Sequence, residues 1–313
     1  MGVTLVENLT LEKMLVNASC VSVRHKGVSV EMFEVATEPV SEPLCLQPEY
    51  SIADQRITQT SRIKLKHSSK FKCSVCDRET KKLFDACCFP CFQNSAQADR
   101  CLLNPVNCHY SAGTCREPAW GEENCYKPHY LYLAYTDKLK VGITRATQVP
   151  TRWIDQGATV AVLLAKAGSR HQVGILESYL SARFADKSHW LKMLKTGNNR
   201  MSITEFEEAR QEALSFLKSG MSNPENSARL SAPVVETCPD AAQVEFLNKA
   251  PVVYLEFPLW AGVPEKITSM NLDKNPLIES KILGVKGQYL ILESGVLNVR
   301  RHEGYVVDCE LQD

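Results

Sequence analysis

Residues Lys127–Leu180 read KPHYLYLAYTDKLKVGITRATQVPTRWIDQGATVAVLLAKAGSRHQVGILESYL. Two short apolar strands come first, Tyr130–Tyr135 and Lys140–Thr144, joined by the turn Thr136-Asp137-Lys138. A short helix is expected over Val149–Gln156, stopped by Gly157. Ala158–Lys166 reads as a third, apolar strand. His171–Phe184 sets Val173, Leu176, Leu180 and Phe184 at helical spacing. The order is β-β-α-β-α, and it makes the chain an α+β protein organised around this unit.

Upstream of it the cysteines crowd. Of thirteen in the chain, nine fall between Cys73 and Cys125, which scattered core thiols would not do. Cys73-x-x-Cys76 and Cys88-x-x-Cys91 each put two thiolates on one tight turn, and two such turns make a tetrahedral zinc site. Cys87 is adjacent and could replace Cys88; Cys88 is favoured because it completes the second CxxC. Such a zinc mainly holds together a segment too small to bury its own core. Cys101, Cys108, Cys115 and Cys125 follow in a loop-rich stretch and suggest a second four-thiolate site. Their spacing fits no common zinc template, so one or two structural Zn²⁺ ions are expected, with an iron–sulfur cluster, a disulfide or free thiols as alternatives at the second set.

The 313 residues carry 36 basic and 36 acidic side chains, so no net charge draws the whole molecule to nucleic acid. Charge is local instead. Arg56–Lys82 holds nine Lys or Arg against Asp77 and Glu79 and flanks the first cysteine set. Its Lys64, Lys66, Lys70 and Lys72 are candidate phosphate contacts, although a charge run can also be simply a solvated face. The N-terminal MGVTLVENLTLEKML carries acids where a secretion signal would carry Lys or Arg, and no apolar run reaches the ~18–20 residues of a bilayer span. A cytoplasmic location and no membrane partner are expected.

The flanks look β-rich. VSVRHKGVSVEMFEV suggests a hairpin, and SRIKLKH a strand leading into the cysteines. Ser202–Leu217 reads as a helix with Thr204 and Glu207 as a capping box and Gly220 as its stop. After a Ser/Asn/Pro-rich linker, VVYLEF, KILGV, YLILESGVLNVRR and YVVDCEL read as strands of a small sheet or barrel, which the N-terminal strands could join. The expected regions are 1–66, β-rich; 67–128, zinc-binding; 129–218, the central module with an extra helix; 219–249, linker; and 250–313, β-rich.

The stretch Tyr130–Leu180 resembles the GIY-YIG nuclease superfamily, in the branch whose second motif reads like Lys140-Val141-Gly142-Ile143-Thr144. Tyr130-Leu131-Tyr132 falls where that family has Gly-Ile-Tyr, Arg152 where it has its catalytic arginine, and Glu177 where it has its metal-binding glutamate. The whole chain also resembles an uncharacterised bacterial family that joins GTCR-x-P-x-WG-x-x-x-C to KVGIT and RW-x-DQGA. The first resemblance implies a nuclease: Tyr132 orienting or deprotonating water, Arg152 gripping phosphate, Lys140 adding positive charge, and Glu177 holding Mg²⁺ or Mn²⁺. The sequence departs from that family at Tyr130 and Lys140, and Gln156 stands one helical turn after Arg152 where a histidine is usual.

The expected function is a zinc-stabilised protein that binds DNA or RNA, with metal-dependent phosphodiester cleavage as its candidate chemistry. A non-catalytic binding or scaffold protein and a redox protein are the alternatives.

Overall fold

The computed structural model describes residues 3–20, 30–34, 43–185, 188–223 and 244–312. Sixteen strands are found among them. Before the central module lie β1 (Val3–Thr10), β2 (Leu15–Cys20), β3 (Leu44–Ile52), β4 (Gln55–Arg56), β5 (Arg62–Lys72) and β6 (Glu79–Thr80). The module supplies β7 (His129–Tyr135), β8 (Leu139–Arg145) and β9 (Val160–Ala167). After it come β10 (Val244–Phe246), β11 (Val253–Leu255), β12 (Ser269–Met270), β13 (Leu277–Lys286), β14 (Tyr289–Leu292), β15 (Gly295–Asn298) and β16 (Tyr305–Gln312). The helices are α1 (Glu31–Glu34), α2 (Phe89–Asn94), α3 (Arg100–Leu103), α4 (Pro118–Asn124), α5 (Thr151–Asp155), α6 (Arg170–Leu180), α7 (Trp190–Thr196) and α8 (Ile203–Ser222). The fold is α+β, as the sequence predicts.

The strands form two mixed sheets. In one, β7 is the hub: it pairs antiparallel with β8 on one side and β9 on the other, with Tyr132 opposite Gly142 and Leu163. The sheet continues from β9 through β11 and β3 to β2, and β11 and β3 run parallel. Strands β7 and β9 are apolar on both faces because both are covered. Helix α6 seals one face with Val173, Leu176 and Leu180, all fully buried. Helix α8 packs on α6 and β9, with the Tyr179 and Phe216 rings stacked 4.7 Å apart.

The second sheet runs β1-β16-β5-β13-β14-β15-β12, with β6 beside β5. The two ends of the chain meet in it, Val3 opposite Gln312. Strand β5 crosses residue 66, where a regional boundary was expected, and delivers the chain into the cysteine turns. Side chains of both sheets share one buried core.

Three local readings change. The box that starts α8 is Ser202 with Glu205, not Thr204 with Glu207: the Ser202 hydroxyl accepts from the Glu205 amide and the Glu205 carboxylate accepts back from the Ser202 amide. Gly220 does not end the helix; Tyr179 lies so close that a β-carbon there would be 2.6 Å from its ring, and the helix runs on to Ser222. The hairpin expected over residues 21–35 lies mostly outside the described residues, and its described end, Glu31–Glu34, is a helical turn. Most of the expected linker, residues 224–243, is also outside them. No helix among the described residues is long and apolar enough to cross a membrane.

Candidate functional site

The first cysteine set is built by two turns. Strand β5 ends at Lys72, and the chain reverses with Cys73 donating to Arg78 O and Asp77 donating back to Cys73 O. Asp77 sits at φ 55°, a left-handed conformation that Asp tolerates. A second reversal pairs Phe84 with Cys87 and leads into α2, with Cys88 at its N-cap and Cys91 in its first turn. The ligand atoms of Cys73, Cys76, Cys88 and Cys91 all lie within 4.8 Å of one another. Cys76 Sγ and Cys88 Sγ are 3.8 Å apart. That is about the edge of a tetrahedron built on ~2.3 Å zinc–sulfur bonds. Val75 N donates to Cys73 Sγ at 3.4 Å and Arg78 Nε to Cys76 Sγ at 3.3 Å. The Arg78 bond holds the Cys76 pKa down at about 6. Cys87 is buried but turned to Ser74, its sulfur 3.8 Å from the hydroxyl, and stands outside the set. This cluster could hold a metal ion such as zinc.

Cys101, Cys108, Cys115 and Cys125 line one cavity, with Asp99 and His109 at its wall. The other close group of candidate ligands among the described residues is Asp99, Cys101 and His109 rather than the four sulfurs. This region docks onto the central module through Pro105 and Gly174: a β-carbon on Gly174 would lie 2.3 Å from Pro105 Cβ, so only glycine lets α6 approach.

The central module gathers its polar residues at one turn. In Arg152-Trp153-Ile154-Asp155-Gln156-Gly157-Ala158 each side chain has a separate task. Trp153 and Ala158 are fully buried. Asp155 accepts from Lys13 Nζ at 3.1 Å and from Gln288 Nε2 at 2.9 Å, fixing the end of α5 to the rest of the fold. Gly157 turns the chain at φ 69°. Gln156 Oε1 accepts the Tyr132 hydroxyl at 2.8 Å.

Tyr132, Arg152 and Glu177, from β7, α5 and α6, line one cleft together with Gln156 and Arg170. Lys140 is not among its lining residues; it is 4% exposed, opposite Ala134 in the hairpin. Tyr132 is fully buried, and burial raises its pKa, with Arg152 pulling it back and Glu177 pushing it up. It is a phenol at neutral pH, suited to orienting a partner rather than to accepting a proton. Arg170 is half-buried; its guanidinium donates to Leu102 O, and its Nε, shielded from solvent, has no hydrogen-bond partner.

The cleft opens into a larger groove of about 920 Å³, bordered by the Cys73 turn, the module and the second sheet. That lies near the upper end of the range of about 300–1,000 Å³ usual for ligand pockets. Arg152 and Arg170 line both spaces, and Lys13, Arg145 and Arg300 add positive charge along the groove, among the acids Glu12, Asp77, Asp155 and Glu303.

The lysines of β5 stand differently. Lys64 pairs with Glu310 at 2.8 Å, Lys70 with Glu79 and Lys72 with Asp77, each at 3.9 Å, and Lys66 is exposed opposite Asp308. Cross-strand pairing has already matched most of this charge. Arg170 and Arg145 were invisible as site residues because the sequence places each beside a cysteine segment only after folding. Gln156 was legible only as the residue standing in place of a histidine.

The model of a family described as "Protein of unknown function (DUF2797)" matches residues 60–307. The match takes in both cysteine sets, the central module and most of the second sheet. No curated protein and no solved structure matches the chain.

Proposed function

We propose that this chain, which belongs to the DUF2797 family, is a zinc-stabilised nucleic-acid-binding protein whose central module carries a metal-dependent phosphodiesterase site. The observation that carries the reading is the meeting of Tyr132, Arg152 and Glu177 in one cleft, at the places that a GIY-YIG-like module gives its working residues. The family match itself says nothing of nucleases. Zinc is the metal proposed for the Cys73 set, because four thiolates on two tight turns suit its tetrahedral preference. A cytoplasmic location, where thiols stay reduced, suits that set.

Arg152 and Arg170 present guanidinium forks to a phosphate entering the cleft from the groove. The Tyr132 phenol, held by Gln156, orients what lies above it. Glu177 is the one carboxylate among the described residues that line the cleft, a fit for Mg²⁺ or Mn²⁺, which take one or two carboxylates and complete their shell with water and phosphate oxygens. Such an ion supplies positive charge to the developing oxyanion. Arg152 adds charge that counts most as the pentacovalent phosphate forms, so its loss lowers turnover more than affinity.

A binding-only reading has one observation in its favour: the Tyr132 hydroxyl is fully buried and already committed to Gln156. Both readings require that the cleft bind phosphate. Fluorescence anisotropy with labelled single- and double-stranded DNA and RNA tests this. Affinity should fall with salt by about one log-log unit per phosphate neutralised. The paired substitution Arg152→Gln and Arg170→Gln should weaken binding and flatten that slope. Binding equal to the parent in the double variant would remove the cleft from the interface.

A further inference from the structure

The mouth of the cleft has a composition of its own. The residues that line both the groove and the cleft are Leu102, Leu103, Ile143, Arg152 and Arg170: two cations and three apolar side chains, with no acid among them. The acids of the groove, Glu12, Asp77, Asp155 and Glu303, line the groove alone. Leu103 is 84% exposed, the most exposed large apolar side chain among the described residues. Its backbone is pinned all the same. Asp99 caps α3 by accepting from Cys101 N at 3.1 Å, the Arg170 guanidinium donates to Leu102 O, and Asn104 N donates to Arg100 O at 3.0 Å. Two residues on, Pro105 is buried against Gly174 of α6. A firmly held turn thus presents a bare leucine side chain beside the two arginines.

Depth matters as well. The cleft behind this mouth is about 120 Å³, the share of about four water molecules at ~30 Å³ each. Tyr132 in its wall is buried, and Arg152, Gln156, Arg170 and Glu177 are half-buried. The cleft admits a phosphate with an ion, but not a base. A phosphodiester reaches it only where its strand bends inward, which a stiff duplex resists, and the adjoining base is then left at the apolar mouth. A duplex stacks its base faces away and offers only their edges. An unpaired strand exposes the faces, and side chains can pack on them.

We propose that the cleft takes an unpaired nucleic-acid strand, with Leu103 packing on the face of the base next to the bound phosphate as a specificity-determining residue. The proposal rests on the phosphate-binding reading of the cleft.

Fluorescence anisotropy tests it with labelled single-stranded DNA and RNA, the blunt duplexes of the same sequences, and a base-free sugar–phosphate strand of equal length. The parent should bind the single strands about 10-fold tighter than the duplexes and about 5-fold tighter than the base-free strand. Leu103→Ala should weaken the single strands to the level of the base-free strand and leave the base-free affinity unchanged. Leu103→Phe should keep the difference. A leucine with a merely structural role would move all strands alike. Duplexes bound as tightly as single strands, a base-dependent gain retained in Leu103→Ala, or equal losses on every strand would each overturn the inference and leave the phosphate-binding cleft standing. Parent-like binding by Arg152→Gln with Arg170→Gln would instead overturn the cleft as the binding site, and this inference with it.

Discussion

The phenol ring of Tyr132 lies across Gly142, its partner on the adjacent strand: a β-carbon at Gly142 would sit 2.3 Å from the Tyr132 hydroxyl oxygen. The glycine of the Lys-Val-Gly motif is thus a steric requirement of the tyrosine in the cleft. Gly142→Ala should destabilise the protein by about 1–3 kcal/mol, the usual cost of overpacking. Introduced beside Tyr132→Leu, the same change should cost clearly less, because the atoms it strikes are gone. Denaturant unfolding of the four proteins measures this. An equal cost in both backgrounds would show that the ring does not impose the glycine.

The first cysteine set gives a sharper contrast. Cys73→Ser and Cys88→Ser should each release its metal, because binding and local folding share a free energy on the order of 10 kcal/mol. Cys87→Ser should retain the metal, since that thiol turns to Ser74. Metal analysis of the three variants decides, and release from Cys87→Ser with retention in Cys88→Ser would reverse the ligand assignment.

His129 predicts an acid response. It is 2% exposed, with Nδ1 2.8 Å from Lys127 O. Burial, aided by Arg170 and Arg145 and opposed by the Lys127 carbonyl, pushes its pKa down to about 4. The unfolded chain takes up this proton near pH ~6.5. The folded pKa is depressed, so its stability contribution is fully present above pH ~6.5 and is lost as pH falls through about 4. The loss is on the order of 3 kcal/mol. Unfolding measured across that window should flatten in His129→Asn; an unchanged slope would assign the acid sensitivity elsewhere.

The central module was legible because its signals are local. Alternation, a Gly stop and a 3.6-residue stripe each act within a dozen residues, and β7 to α6 formed where those signals lie. The spacing of Cys73, Cys76, Cys88 and Cys91 was legible for the same reason. What was hidden depends on chain segments far apart. Nothing in SRIKLKH announces that β16 and β13 will flank it and set Glu310 and Glu279 opposite Lys64. Arg170 opens a helix like any surface arginine, and it joins the cleft only because the cysteine region packs on α6. The start of α8 was misread by two residues because two Ser/Thr-x-x-Glu patterns overlap there, and only the backbone shows which one caps.

The paired lysines of β5 yield a further expectation. Neutralising Lys64, Lys66, Lys70 and Lys72 together should change nucleic-acid affinity less than neutralising Arg152 and Arg170, because three of the four already face a carboxylate. Salt-dependent titrations of both variants compare them. A steeper loss from the β5 set would move the interface to that sheet.

Metal-dependent cleavage measures directly whether the cleft acts on a phosphodiester. Labelled single- and double-stranded DNA and RNA are incubated with the parent, Glu177→Ala and Arg152→Ala, with Mg²⁺, with Mn²⁺ and with chelator. The parent should cleave only with a divalent ion, and both variants should lose ~10²–10³ or more in rate while still binding nucleic acid. Binding by the parent without cleavage of any of these substrates under either ion would contradict the claim and leave a binding module.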